Sequence, residues 1–323
     1  MGDHLPFAAG VLPWQDSIYP PRLPRGKTTV GVKIKSLLRQ YGLYPRKGLA
    51  QNFLADETVL PRIIAAAELG PEDLVLEVGP GLGFLTRELA QHARRVIAVE
   101  LDRRLVTLLQ EKLADRPNLQ VVAGDILQVD IPGLWRQASM EPSSPAFSYK
   151  VVANLPYYIT SAVLRRFLES AARPALMVLM VQKEVAQRLV AGPGQMSLLA
   201  VSVQFYARPT LVSYVPAGAF YPRPKVDSAI VRLAVDREPR YRVADIAGFF
   251  RVVQAGFGQK RKQLKNALVA GLERPAQELA AALTAAGVDP QARAQNLSVE
   301  EWVRVYERIA SGCSPASLTP RSI

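Results

Sequence analysis

The chain has 323 residues, 49% hydrophobic and 21% charged, and carries 40 Lys and Arg against 28 Asp and Glu, a net charge of +12. That length suits a large α/β domain with a smaller one beside it, and no apolar run is long enough to cross a bilayer. One cysteine, Cys313, and two histidines, His4 and His92, exclude a disulfide framework, a thiolate cluster and a histidine-based metal centre or triad, so no metal is expected. The chemistry falls to amides, carboxylates and backbone. The basic balance makes a phosphate polymer the partner to test first, and an N-terminus unlike a secretory signal points to the cytoplasm.

Residues 1–34 read as a proline-rich N-terminal extension, partly disordered. From 35 to 235 the pattern is that of one α/β domain. KSLLRQY forms a short helix closed by Gly42, and a basic loop with Arg46 and Lys47 leads through QNFL to Asp56. Asp56 caps a helix over ETVLPRIIAAAEL, which Pro61 bends. Strands LVLEVG, RVIAVEL and LQVVAGDI then alternate with helices LTRELAQHA and DRRLVTLLQEKLA, which predicts a parallel sheet with helices on both faces. VVANLP is a fourth strand and ALMVLMVQ a fifth, followed respectively by helices SAVLRRFLES and KEVAQRLV. LAVSVQFYA and VDSAIVRLAV read as two further strands around the loop VPAGAFYPRPK. The sum is an α/β, Rossmann-like sheet of about seven strands. Beyond Val235 a charged linker, DREPRYR, opens onto apolar residues at helical spacing, so 236–323 predicts a small C-terminal helical domain ending in a disordered tail, SPASLTPRSI.

LEVGPGLGFLT (76–86) is the strongest local signal. Its small residues turn from a strand into a helix and let backbone approach a ligand. About twenty residues on, Glu100 ends the second strand, where a carboxylate can accept two hydrogen bonds from a ribose. Asp125 ends the third strand, where it could accept from an adenine amino group. A nicotinamide dinucleotide uses a similar arrangement, but Glu77 and Pro80 depart from the usual G-x-G-x-x-G spacing and fit S-adenosylmethionine better, because a sulfonium ligand has no diphosphate to bind. The bland alternative is a tight turn at Gly79, Gly81 and Gly83 with Asp125 as a cap.

A methyl acceptor beside such a cofactor lies at the end of the fourth strand, at Asn154. Its side-chain oxygen, with a backbone carbonyl from Leu155 or Pro156, could accept from an exocyclic amine and free its lone pair. Tyr157 would stack on the base and Phe220 close its other face. The alternative reading, ordinary core aromatics, is favoured for Tyr158. Lys260, Arg261, Lys262 and Lys265 in GQKRKQLKN begin a helix and form either a solvated face or a phosphate-binding surface, which Arg46, Lys47 and Arg223 extend.

These segments, with MVQKEVAQRL, FYPRPKVDSAIVRL, FGQKRKQLKNAL and NLSVEEWV, resemble the rRNA adenine N6-dimethyltransferase family from about Lys35 to Tyr306. The resemblance implies dimethylation by S-adenosylmethionine of N6 of two adjacent adenines near the 3′ end of 16S rRNA, linked to ribosome biogenesis. It implies a monomeric, cytoplasmic methyltransferase acting on a small-subunit particle. Carried over residue by residue, cofactor contacts fall on Asn52, Leu54, Gly79, Gly81, Glu100, Asp125 and Asn154, and the adenine pocket on Asn154 to Tyr157 and Phe220. Ala50 stands where the family usually has Gly, and alanine makes a positive-φ conformation costly there. Leu155 favours the small-subunit branch over resistance enzymes acting on the large subunit, which typically carry Ile there. The rival of another class is an inactive RNA-binding assembly factor.

Overall fold

The computed structural model describes residues 29–49, 51–140, 142, 147–238 and 240–312; Ala50, most of the expected N-terminal extension and the C-terminal tail lie outside them. Helix α1 (Thr29–Gln40) precedes a two-residue strand, β1 (Phe53–Leu54), and α2 (Leu60–Ala67). The body continues as β2 (Leu74–Val78), α3 (Phe84–His92), β3 (Arg95–Glu100), α4 (Arg103–Lys112), β4 (Leu119–Ala123) and α5 (Ile131–Gln137). Next come β5 (Lys150–Asn154), α6 (Thr160–Leu168), β6 (Leu176–Gln182), α7 (Lys183–Leu189), α8 (Leu198–Gln204), β7 (Ala207–Val215), β8 (Phe220–Tyr221) and β9 (Ser228–Val235). The chain then runs through α9 (Ile246–Phe257), α10 (Leu264–Leu272), α11 (Ala276–Ala285) and α12 (Val299–Ser311).

The seven-stranded sheet has the order β4-β3-β2-β5-β6-β9-β7, the first five parallel and β9 and β7 antiparallel. The central strands are apolar along their whole length because both faces are covered. Alternate residues serve opposite faces: Met177, Leu179 and Val181 of β6 join α5, α6 and α8 in one apolar cluster, while Leu176, Val178 and Met180 join α2 and α3 in another. Between β2 and β5 the strand order reverses, and the connections to either side leave a crevice beyond the carboxyl ends of both strands.

Several expectations need correction. LAVSVQFYA is not a strand: α8 occupies its first part, begun by Ser197, whose side chain accepts from Ala200 N at 3.2 Å. The burial of Val201, Val203 and Phe205 imitates a strand's alternation, and the capping hydroxyl decides the matter. The strand comes later, as β7, at the sheet edge, where Pro209 has no ladder bond to lose. Likewise QNFL and GAFYP are not simple loops, since Leu54 pairs with Phe220 and Phe53 with Tyr221 in an antiparallel ladder. Finally, Lys260, Arg261 and Lys262 do not begin a helix; they sit exposed between α9 and α10, and only Lys265 is helical. Pro61 does not kink a helix either. It falls in the first turn of α2, where its missing N–H costs nothing, after a short 3-10 turn capped by Asp56.

The C-terminal helices do not stand apart from the sheet. Phe205 at the end of α8 stacks on Phe249 of α9 at 4.9 Å, and Trp302 of α12, fully buried, belongs to the same apolar cluster as Met177 and Leu179. A reciprocal capping box of Ser298 and Glu301 starts α12. Close approach of α9 and α12 requires Gly256, because a Cβ there would lie 2.3 Å from the Trp302 ring. Gly256→Ala should therefore lower stability by about 1–3 kcal/mol despite alanine's better helix propensity; urea denaturation showing an unchanged or higher midpoint would contradict this packing.

Candidate active site

Four of the five parallel strands, β2, β3, β4 and β5, each deliver a site segment to the same crevice. Beyond β2, Gly79 has φ +67° and nothing within 4 Å of its missing side chain, so the turn presents bare backbone to open space. Its N–H is fixed by Val99 O at 3.0 Å. Gly81, also at positive φ, donates its N–H to Glu100 Oε2 at 3.1 Å, while Glu100 Oε1 accepts from Asp102 N at 2.9 Å. Burial pushes the Glu100 carboxyl up, and these backbone donors oppose the shift. Each oxygen retains acceptor capacity, since an ionised carboxylate has about four lone-pair sites.

Asp125, beyond β4, accepts from Leu127 N at 2.9 Å. The capping role weighed from sequence therefore exists, on a residue that also lines the crevice. At the end of β5, Asn154 Nδ2 donates to Asn52 O at 3.3 Å. Only the amino end of the amide can bond a carbonyl, so Oδ1 remains as an acceptor. Leu155 is buried and held by Met180 O at 3.1 Å, so it can offer a ligand its backbone rather than its side chain. Tyr157 shares a 2.8 Å hydrogen bond between its phenol and Ser228 Oγ of β9. Phe220 is buried beside Leu54, its cross-strand partner.

The crevice gathers Asn52, Leu54, Gly79, Gly81, Glu100, Asp125, Asn154, Leu155, Pro156, Tyr157 and Phe220 around one opening. Its carboxylates are Glu77, Glu100 and Asp125, and no Lys, Arg or His among the described residues lines it. In a chain of net charge +12, that division suits a ligand with cationic ammonium and sulfonium groups and opposes a diphosphate. The donor set thus fits S-adenosylmethionine and disfavours a nicotinamide dinucleotide.

Sequence reasoning passed over several groups. Glu77 enters the sequence reading only as a departure from the dinucleotide spacing, with no role for its side chain, yet it is 1% exposed, lines the crevice, and leaves Oε2 without a partner among the described residues. Gln51 donates to Asp102 Oδ2 at 3.3 Å, and Arg104 grips the same carboxylate through two bonds, at 3.0 and 2.7 Å. The Arg104 bonds, chiefly, hold buried Asp102 at a pKa of about 2. That network ties the QNFL loop to the start of α4, and its only trace in the sequence is a cap-like Asp before a helix. Tyr158 is not a core aromatic: it is 59% exposed and lines the crevice.

Among the described side chains, none of the expected RNA-binding cations lines the crevice. Arg46 is exposed but lies 3.9 Å from Asp102, and its backbone N–H donates to Gln51 Oε1 at 2.8 Å. Lys47 falls in the short turn Lys47–Leu49, and Arg223 is exposed just after β8.

Burial raises Glu77 to about 8; the nearby Thr86 hydroxyl opposes the shift and Glu100 adds to it. A carboxyl raised in the fold contributes fully below its unfolded-chain value, and that contribution is lost as pH rises to about 8. Ligand-free protein should therefore lose stability between about pH 5 and about pH 8.5, by on the order of a few kcal/mol, and Glu77→Gln should lose much less. Equal losses in denaturant titrations of both proteins would refute a neutral Glu77.

Residues 43–311 match the family model described as ribosomal RNA adenine dimethylase. A ribosomal RNA small subunit methyltransferase A of Dehalococcoides mccartyi is 50% identical over 87% of this chain and 94% of its own length. One from Moorella thermoacetica is 46% identical over 84% and 94%. Among solved structures, the 23S rRNA methyltransferase ErmE aligns at TM-score 0.64 and 34% identity, over 80% of this chain and all of its own. A dimethyladenosine transferase from Plasmodium falciparum aligns at 0.66 and 26%, over 79% and 96%. With a match spanning most of its length and relatives at half identity, the chain belongs to the ribosomal RNA adenine dimethylase family, whose members are Rossmann-like, S-adenosylmethionine-dependent rRNA methyltransferases.

Proposed function

We propose that this chain dimethylates N6 of two adjacent adenines near the 3′ end of 16S rRNA, acting as a cytoplasmic monomer on a small-subunit ribosomal particle. The orientation of Asn154 carries the reading: its Nδ2 is committed to Asn52 O, which leaves Oδ1 to receive an exocyclic N–H. The Pro156 carbonyl already accepts from Ile159 N at 3.2 Å, so the Leu155 carbonyl is the more open second acceptor. Two such acceptors pull the amine out of conjugation with the ring and direct its lone pair. When bound, S-adenosylmethionine supplies an electrophilic methyl group. Asn52, Leu54, Gly79, Gly81, Glu100, Asp125 and Asn154 hold that cofactor, with Glu100 on the ribose and Asp125 on the adenine amino group.

Tyr157 stacks on the target base, its ring steadied by Ser228, and Phe220 closes the other side. No strong base is needed, because a methylated aryl ammonium gives its proton to water. The described residues beyond 235 form a helical RNA-binding unit whose exposed Lys260, Arg261 and Lys262 neutralise phosphates alongside Lys265, Arg46, Lys47 and Arg223. Small-subunit relatives at 46–50% identity, against 34% for the large-subunit enzyme, support the choice of substrate.

Labelled methyl transfer to unmodified small subunits, with large subunits alongside, tests this directly. Label should appear as dimethyladenosine in the small subunit alone, and Asn154→Ala should cut kcat by about 100-fold or more. Tyr157→Phe keeps the ring and should retain activity within about tenfold, whereas Tyr157→Ala should not. Label confined to the large subunit would overturn the substrate assignment. Replacing Lys260, Arg261 and Lys262 together by Ala should reduce the slope of log affinity against log salt by about 3, and an unchanged slope would remove this loop from the RNA interface.

A further inference from the structure

Tyr158 has no assigned task in that scheme, and its setting is unusual. It is one of the few large apolar side chains left exposed, at 59%, and it stands on the same short turn, Tyr157–Ile159, as the ring expected to hold the target base. Tyr157 is half-buried and hydrogen-bonded to Ser228. The Tyr158 side chain makes no hydrogen bond or ring contact among the described residues, yet it lines the crevice. The backbone of the turn is fixed by Ile159 N donating to Pro156 O at 3.2 Å. An exposed ring on a fixed turn is pre-organised for contact.

The electrostatics of the crevice say which part of a polynucleotide would meet it. Glu100 and Asp125 line the interior and no cation among the described residues offsets them, so phosphates cannot follow a base inward without like-charge repulsion. One base enters and its backbone stays outside, near exposed cations such as Arg46 and Arg223. The next base along the strand, unstacked from the extruded one, is then left beside the rim with an apolar face uncovered. A rim aromatic is the usual means of covering such a face in single-stranded nucleic acid.

We propose that Tyr158 is a stacking platform for the nucleobase adjacent to the target adenine, a second base subsite beside the one built on Tyr157. The proposal rests on the adenine-methylating reading of the crevice. It makes Tyr158 a binding and positioning residue. Replacing it should impair capture of RNA and leave the cofactor subsite intact.

The test uses the full chain and short single-stranded RNAs carrying the fluorescent base 2-aminopurine, either in place of the target adenine or one position away. Wild-type protein should quench the adjacent probe. Tyr158→Ala should abolish that quenching, Tyr158→Phe and Tyr158→Trp should keep it, and quenching at the target position should depend on Tyr157 instead. On small subunits Tyr158→Ala should raise KM about tenfold, with kcat and the Kd for S-adenosylhomocysteine little changed. Equal quenching of the adjacent probe by wild type and Tyr158→Ala overturns the inference, as does a shift in cofactor Kd matching the change in KM. The reading on which it rests fails differently: folded wild type that binds cofactor would then methylate no ribosomal subunit, whatever the probes report.

Discussion

The reversal of strand order between β2 and β5 is the constraint on which the site depends. Chain leaving β2 turns to one side to build β3 and β4, and chain arriving at β5 goes on to β6 at the other. The strand ends between these connections cannot be covered by their own crossovers, so they open onto one crevice. Gly79, Glu100, Asp125 and Asn154 are distant in sequence and meet there because each follows or ends a parallel strand. A sheet with its strands in sequential order would have scattered the same residues along one edge.

Around that opening, loops are held by bonds that only the folded chain can make. The small β1 and β8 ladder brings Leu54 to Phe220, Ala219 O accepts from both Ala55 and Asp56 N, and Asn52 O receives the Asn154 amide. Asp102, gripped by Arg104 and reached by Gln51, fastens the same loop to the start of α4. The Asn154 amide commits its Nδ2 to such a tie and keeps Oδ1 as an acceptor, which is how a site is oriented before its ligand arrives. Charge is divided in the same spirit, with carboxylates inside the crevice and the chain's excess cations outside. A cationic small molecule and a polyanion can then occupy adjoining regions of one surface.

The C-terminal helices extend the apolar cluster of one sheet face through Phe205, Phe249 and Trp302. A surface carried on helices packed in this way is held at a set orientation to the sheet, as a tethered module would not be. The exposed basic loop between α9 and α10 is displayed on that rigid support.

By itself the sequence determined the alternation of strands and helices, the glycine turn, and the residues that end β3, β4 and β5, because these follow from periodicity and motif spacing along a continuous stretch. It also marked the change of texture near residue 236. It misplaced α8 because alternating burial on a helix looks like a strand, and it did not pick out α5, whose Pro132 and Gly133 read as turn residues although Trp135 is fully buried. Only the tertiary structure decided that β9 and β7 run antiparallel, that two apparent loops pair as β1 and β8, which end of the Asn154 amide is free, and that Tyr158 points outward while Glu77 is buried with its Oε2 unpartnered among the described residues. The reason is physical: a periodic pattern reports which face a residue shows to its own neighbours, whereas hydrogen-bond partners, burial of a charge and exposure of a ring are set by chain segments that can lie more than a hundred residues away.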